Sequence, residues 1–344
     1  MASTAASKPP SVGVVTQTMA STAPSKPPSV GVVGIPFSKG QPRGGTEHGP
    51  ALLRDYGIVE RIQDLGNKVT DYGDLTLDAV EDDKPWNKVK NPRTVGQANR
   101  KVSECVSKIT RDRQIALTLG GDHSIAIGSI HGHAQSCPDL VVVWIDAHAD
   151  LNTPLSSDSG NIHGMPLSFI VKEMAPYTAR LPGFEWCQPC ISARDLIYIG
   201  LRDVDEAERA YMTECGIASY SMQEVDKYGL PDMMERVLKT VDPTGKRPIH
   251  LSFDVDAMDP EYSPSTGTPV HGGLTRREMY YIAEEIAGTG RLSCLDVVEV
   301  NPSLGTEADR KKTVRTTVDV VSHFFGKRRE GNVSADFKMP LPQK

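Results

Sequence analysis

Asp146-x-His148-x-Asp150 and Asp254-x-Asp256 place five oxygen and imidazole donors in two short runs. Each run directly follows an apolar stretch: Leu140-Val141-Val142-Val143-Trp144-Ile145 before the first, Ile249-His250-Leu251-Ser252-Phe253 before the second. Side chains alternate along a strand, so the donors within each run point the same way. Four carboxylates brought together unpaired would repel one another and carry a heavy desolvation cost. Two divalent cations would balance them charge for charge. The spacing therefore predicts a site for two cations, able to activate water and to stabilise negative charge on oxygen.

Further candidates follow the same grammar. In Leu117-Thr118-Leu119-Gly120-Gly121-Asp122-His123-Ser124 a strand runs into a glycine turn, and His123 stands where a sixth ligand would be. An isolated histidine is more often structural; beside the aspartate runs the ligand reading gains. The polar run Ser156 to Gly164 reads as a surface loop, yet it carries His163 in a position to shuttle protons. Asp205 and Glu299 also follow or end apolar runs. Either could meet a substrate or be a solvated salt-bridge partner.

These residues need strands to hold them. Strands are predicted over 30–35, 68–72, 115–119, 140–145, 196–200, 218–221, 249–255 and 292–300. Helices are predicted over 94–111, 125–135, 222–239, 275–287 and 309–325. Continuous apolar strands alternating with helices argue an α/β fold with a mostly parallel sheet covered on both faces. In such sheets ligands gather beyond the carboxyl ends of the strands, where the aspartate runs fall.

Composition narrows the classes. The 344-residue chain is 38% hydrophobic and 24% charged, with formal net charge −6, so it has no basic footprint for nucleic acid. No run approaches the roughly 20 apolar residues of a membrane helix. The six cysteines are scattered, and Cys187-Gln188-Pro189-Cys190 lacks the second pair a thiolate zinc site would need. Reduced thiols in a cytoplasmic setting are expected. The first 36 residues repeat an eighteen-residue Ser/Pro-rich unit, with Met19 opening the second copy. Residues 1–28 are expected to be a disordered tail, 29–332 one catalytic domain and 333–344 a second tail. A targeting role for the basic N-terminus leaves a mitochondrial alternative.

Taken together the runs resemble the ureohydrolase superfamily, and the arginase family within it, from about Gly31 to Gly331. The motifs are GIPFSKGQPRGG (34–45), GGDHS (120–124), DAHADLNTP (146–154), SGNIHG (159–164), GLRDVD (200–205), SFDVDAMDP (252–260), GTPVHGGLT (267–275) and EVNPSLG (299–305). The resemblance implies a three-layer α/β/α sandwich around a mainly parallel eight-stranded sheet, with two Mn²⁺ per subunit. His123, Asp146, Asp150 and Asp254 would hold one ion. Asp146, His148, Asp254 and Asp256 would hold the other, with Asp146 and Asp254 bridging. The implied reaction is hydrolysis of L-arginine to L-ornithine and urea by hydroxide shared between the metals. Asp150 would orient that hydroxide, Glu299 the guanidinium, and His163 would relay a proton to the leaving amine. Asn152, Ser157 and Ser159 would meet the α-carboxylate, Asp205 and Glu208 the α-amino group, and Thr268 would also line the substrate site.

The resemblance further implies a homotrimer, with Arg329 pairing across subunits. Ala149 departs from a family threonine, and His271 from an apolar residue; His271 is expected to be structural, near the mouth of the site. Agmatinase or guanidinobutyrase activity, a metal-holding inactive relative, and CxxC redox chemistry are the rival readings. The carboxylate-reading set Asn152, Ser157 and Ser159 favours an α-amino-acid substrate over agmatine.

Overall fold

The structure, a computed structural model, describes residues 28–333 and 337–340. The expected N-terminal tail therefore lies outside the described residues, apart from its last position, as does much of the C-terminal one. Among the described residues eight strands form one sheet: β1 (Ser29–Gly34), β2 (Lys68–Asp74), β3 (Ile115–Leu119), β4 (Val141–Ile145), β5 (Leu196–Ile199), β6 (Ala218–Tyr220), β7 (Ile249–Asp254) and β8 (Leu292–Val298). Their order is β2-β1-β3-β8-β7-β4-β5-β6. Every pairing between neighbours is parallel, where a mainly parallel sheet was expected.

Alternation along the strands divides the interior into two cores. Val141, Val143, Ile145, Leu251 and Phe253 face one way, against α1 (Gly49–Asp55), α2 (Ile58–Asp64), α7 (Met222–Val241), α8 (Arg276–Gly288) and α9 (Glu307–Phe324). Val142, Trp144, Leu196 and Tyr198 face the other way, against α3 (Pro92–Arg111), α4 (Ala126–Ser136), α5 (Pro166–Ile170) and α6 (Glu206–Cys215). With both faces dry, a central strand such as β4 reads as a continuous apolar run, whereas the edge strand β2 is polar and largely exposed. Gly128 lets α4 approach α3 closely: a Cβ there would lie 2.3 Å from the Asn99 carbonyl oxygen.

Ser221 with Glu224, Thr275 with Glu278 and Thr306 with Asp309 form reciprocal capping boxes that start α7, α8 and α9. One feature differs from expectation. The segment predicted as one helix over 222–239 breaks at Gly229 (φ 69°, ψ 159°), because Pro231 cannot continue the backbone hydrogen bonding. Near the C-terminal end, the Arg329 guanidinium meets Glu284 of the same chain at 2.9 and 3.0 Å.

Candidate metal centre

The centre lies beyond the carboxyl ends of β3, β4, β7 and β8, in the middle of the sheet. β4 ends at Ile145 and is followed at once by Asp146; β7 ends with Asp254 itself. The turn after β3 presents His123. It can do so because a Cβ on Gly121 would lie 1.8 Å from the Phe37 carbonyl oxygen, so only glycine permits that approach.

His123 Nδ1 lies 3.1 Å from Asp146 Oδ2, 3.2 Å from Asp150 Oδ2 and 3.1 Å from Asp254 Oδ2. His148 Nδ1 lies 3.3 Å from Asp146 Oδ1 and 3.2 Å from Asp256 Oδ2. Donors on the edge of an octahedron with bonds of ~2.1 Å are about 3 Å apart, so this spacing suits hard-cation coordination. Two ligand groups result: His123, Asp146 and Asp254 in one, Asp146, His148 and Asp256 in the other. Asp146 is common to both. Asp254 falls in the first group only, with His123 and Asp146, so these distances do not draw its expected second bridge.

Electrostatics points the same way. Burial, together with neighbouring carboxylates, pushes the Asp150 and Asp254 carboxyls up, and Asp256 up to about 6. Despite burial, the surrounding carboxylates hold protons on His123 and His148 well above the usual imidazole range. A site that recruits protons this strongly has excess negative charge, and cations can take the protons' place. His123 Nδ1 has no hydrogen-bond partner among the described residues. Nitrogen and oxygen donors without a thiolate fit a hard or borderline cation such as Mn²⁺.

Two contributors escaped the sequence reading. Ser252 Oγ lies 2.8 Å from His123 Nε2 and can accept its N–H, which would leave the Nδ1 lone pair for a cation. Trp144 stacks on His123 (centroids 4.1 Å, planes 7° apart) and donates from Nε1 to Asp146 Oδ2 at 3.0 Å. Both sit two residues before a ligand on the same strand face, so period-two alternation was the available signal. Arg202, read only as part of GLRDVD, donates to the carbonyls of Gly200, Asp256, Ala257, Met258 and Val270. It ties the turn after β7 to the loop ahead of α8.

The remaining candidates surround the two ligand groups. Glu299 Oε1 accepts from the His123 amide at 2.9 Å and lies 3.2 Å from His163 Nδ1. Its Oε2 has no hydrogen bond among the described residues. Asp150 (φ 49°) and Glu299 (φ 64°) both hold left-handed backbone, which costs about 1–3 kcal/mol per residue and aims their carboxylates inward.

A cleft of about 270 Å³ is lined by His148, Asp150, Asn152, Ser157, Ser159, His163, Asp205, Glu208, Asp254, Asp256 and Thr268, among others. At its outer end Asn152 Nδ2 donates to Asp205 Oδ2 at 2.8 Å, and Asp205 caps α6 in a box with Glu208. Burial, with Asp150 and Asp205 nearby, pushes Glu208 up to about 7 against two backbone amides that favour its charge. Thr268 donates to Asp256 Oδ2 at 3.1 Å, so it supports a ligand as well as lining the cleft. His271 is exposed and outside both ligand groups. Ala149 is buried and faces the second core.

The arginase family model matches residues 28–326. Arginase-1 of Bos taurus is 54% identical over 328 residues, covering 95% of this chain and 96% of its own. Arginase-2, mitochondrial, of Homo sapiens is 51% identical over 311 residues, covering 90% of this chain and 88% of its own. Among solved structures, the arginase from Bacillus caldovelox has a TM-score of 0.79 at 34% identity, covering 88% of this chain and 99% of that one. Likeness on this scale, in both sequence and fold, means that the chain belongs to the arginase family and is a hydrolase acting on the guanidino C–N bond of arginine.

Proposed function

We propose that the centre holds two Mn²⁺ ions and converts L-arginine to L-ornithine and urea, with residues 29–332 as one catalytic domain. What carries this reading is a single cleft with opposite requirements at its two ends. The inner end gathers carboxylates that favour a cationic guanidinium; the outer end offers Asn152, Ser157 and Ser159 to a carboxylate and Asp205 and Glu208 to an ammonium.

His123, Asp146, Asp150 and Asp254 would hold one ion and Asp146, His148, Asp254 and Asp256 the other. Bound there, such ions lower the pKa of water towards neutrality and stabilise negative charge developing on oxygen. The free Oε2 of Glu299 takes a guanidinium N–H in a charge-assisted hydrogen bond. Asp150 accepts a hydrogen bond from the attacking oxygen and turns its lone pair towards the guanidinium carbon. His163 delivers a proton to the departing nitrogen, which becomes the side-chain amine of ornithine.

A homotrimer is proposed on the family resemblance of the 326–332 segment, with Arg329 held by Glu284 in each chain. The cytoplasm is the proposed compartment, consistent with six free cysteines among the described residues. No helix of the described residues is long and apolar enough to cross a membrane.

The decisive assay measures urea from L-arginine and from agmatine, with and without Mn²⁺ preincubation, alongside metal analysis. Activity on arginine that rises with Mn²⁺ to two ions per chain is expected. Preference for agmatine would sink the substrate assignment.

A further inference from the structure

Further down the same strands lies a second imidazole–carboxylate cluster that the reaction does not use. His133 on α4, His250 on β7 and Asp296 on β8 are fully buried, and Cys294 is close enough to both histidines to complete a triad of possible ligands. By proximity alone this could be a soft-metal site. Its hydrogen bonds say otherwise.

Ser293 Oγ lies 3.1 Å from the Ile249 carbonyl, which can only accept, and 2.9 Å from His133 Nε2. With one hydroxyl proton, both contacts are hydrogen bonds only if Ser293 donates to the carbonyl and accepts from His133 Nε2. Among the described residues the His133 ring hydrogen-bonds only Ser293 and His250, whereas His250 meets the Asp296 carboxylate. An extra proton therefore belongs on His250, and Nδ1 of His133 is the acceptor; burial, with His250 alongside, likewise pushes the His133 imidazole down to about 3. His133 Nδ1 faces His250 Nδ1 at 3.1 Å, which makes His250 the donor. The other nitrogen of His250, Nε2, lies 3.0 Å from Asp296 Oδ2. Asp296 already accepts from Thr118 Oγ1 and Ser129 Oγ, each at 2.5 Å. Two hydroxyl donors favour the carboxylate. Burial opposes that form, but His250 and these hydroxyls hold the Asp296 carboxyl below its usual range.

We propose that His250 is a buried imidazolium ion-paired to Asp296, and that the pair is a positioning element for the reaction. It joins β3 through Thr118, β7 through His250, β8 through Asp296 and α4 through Ser129 and His133. Those strands then deliver His123, Asp254 and Glu299 within a few residues. A dry ion pair is a poor source of net stability, since desolvation offsets its attraction. What it supplies is direction, because charge-assisted bonds tolerate little misalignment. This deepens the proposed function, as it rests on the roles given to His123, Asp254 and Glu299.

Two measurements separate the pair from that reading. Neutron diffraction on perdeuterated, Mn²⁺-loaded enzyme should show deuterium on both ring nitrogens of His250 and on Nε2 alone of His133. A single deuterium on His250, or a metal between His133, His250 and Cys294, would overturn the ion pair whatever the activity. Kinetics of Asp296→Asn, His250→Gln and the double variant, with metal content measured, test positioning. Each single variant should lose at least tenfold in kcat, with KM changed less than threefold and metal content at the parent's level. The double variant should lose less in Tm than the sum of the singles, because no unpaired charge remains buried. Where a single variant fails to fold, the double supplies the kinetics. A folded, fully metallated variant with kcat within twofold of the parent overturns the positioning role.

Discussion

Two buried imidazole–carboxylate clusters stand one above the other on β3, β7 and β8, and they resolve their charge in opposite ways. In the lower cluster each ring nitrogen of His133 and His250 meets one partner, and two hydroxyls complete Asp296. In the upper cluster His123 Nδ1 faces three carboxylate oxygens at 3.1–3.2 Å, more acceptors than one N–H could serve. Both bring ligand-type side chains to contact distance. What distinguishes a metal centre is unmet demand for positive charge, not the presence of histidine and aspartate.

Removing a ligand proposed to bridge the two ions is the harshest test of that contrast. Asp146→Ala and Asp254→Ala are each expected to lose both ions and to lower kcat on the order of a thousandfold or more. Cys294→Ser, in the lower cluster, should leave metal content unchanged. Elemental analysis with urea assays reads both. Two ions retained in Asp254→Ala would show that the bridge is misassigned, and here the distances themselves place Asp254 only in the group with His123 and Asp146.

Removing the proposed ions instead should expose the excess negative charge. Burial alone would push His163 down, but Glu299, with Asp150 and Asp122 beyond it, holds the ring up at about 9. A histidine raised above its unfolded value of about 6.5 stabilises fully below that pH, and the contribution disappears as pH rises through 9. The shift corresponds to about 3 kcal/mol. Melting of chelator-treated protein between pH 6 and 10 should therefore fall more steeply in the parent than in His163→Asn. Mn²⁺ should shrink that difference by neutralising Asp150. Parallel curves for parent and variant would mean that Glu299 does not hold the proton on His163.

Much of this contrast is legible in residue order alone. The runs at 146–150 and 254–256 announce themselves because like charges directly after apolar strands are costly unless positive charge meets them. Strand cores such as Val141–Ile145 were legible too, since burial on both faces leaves an unbroken apolar run. The short helices α1 and α2 were not, since seven residues carry too little periodicity to stand out. Ser252, Trp144 and the lower cluster were also missed. A serine or histidine inside a strand resembles any tolerated polar residue until cross-strand register sets Ser252 beside both Trp144 and Asp296.

The outer end of the cleft offers a milder test. Asp205 belongs to neither ligand group, and its side chain is held by Asn152. Asp205→Ala should raise KM for arginine roughly 10- to 100-fold, the range for one charge-assisted hydrogen bond. Mn²⁺ affinity should stay within about threefold. Titration of metal-free protein beside steady-state kinetics separates the two, and parallel losses would move Asp205 into the metal scaffold.

The smallest effect is expected at the remaining ligand-type pair, Cys187 and Cys190. Burial pushes both thiols up to about 12, with Cys190 adding to the shift at Cys187. At neutral pH a thiol with that pKa is thiolate only about once in 10⁵ molecules, and the thiolate is the form that binds metal or attacks a disulfide. The pair thus resembles the lower cluster: ligand chemistry in name, without the charge that ligation needs. Cys187→Ser with Cys190→Ser should leave urea production within about twofold and Mn²⁺ content unchanged. A collapse in activity that a reductant reproduces in the parent would make the pair a redox element and end the comparison there.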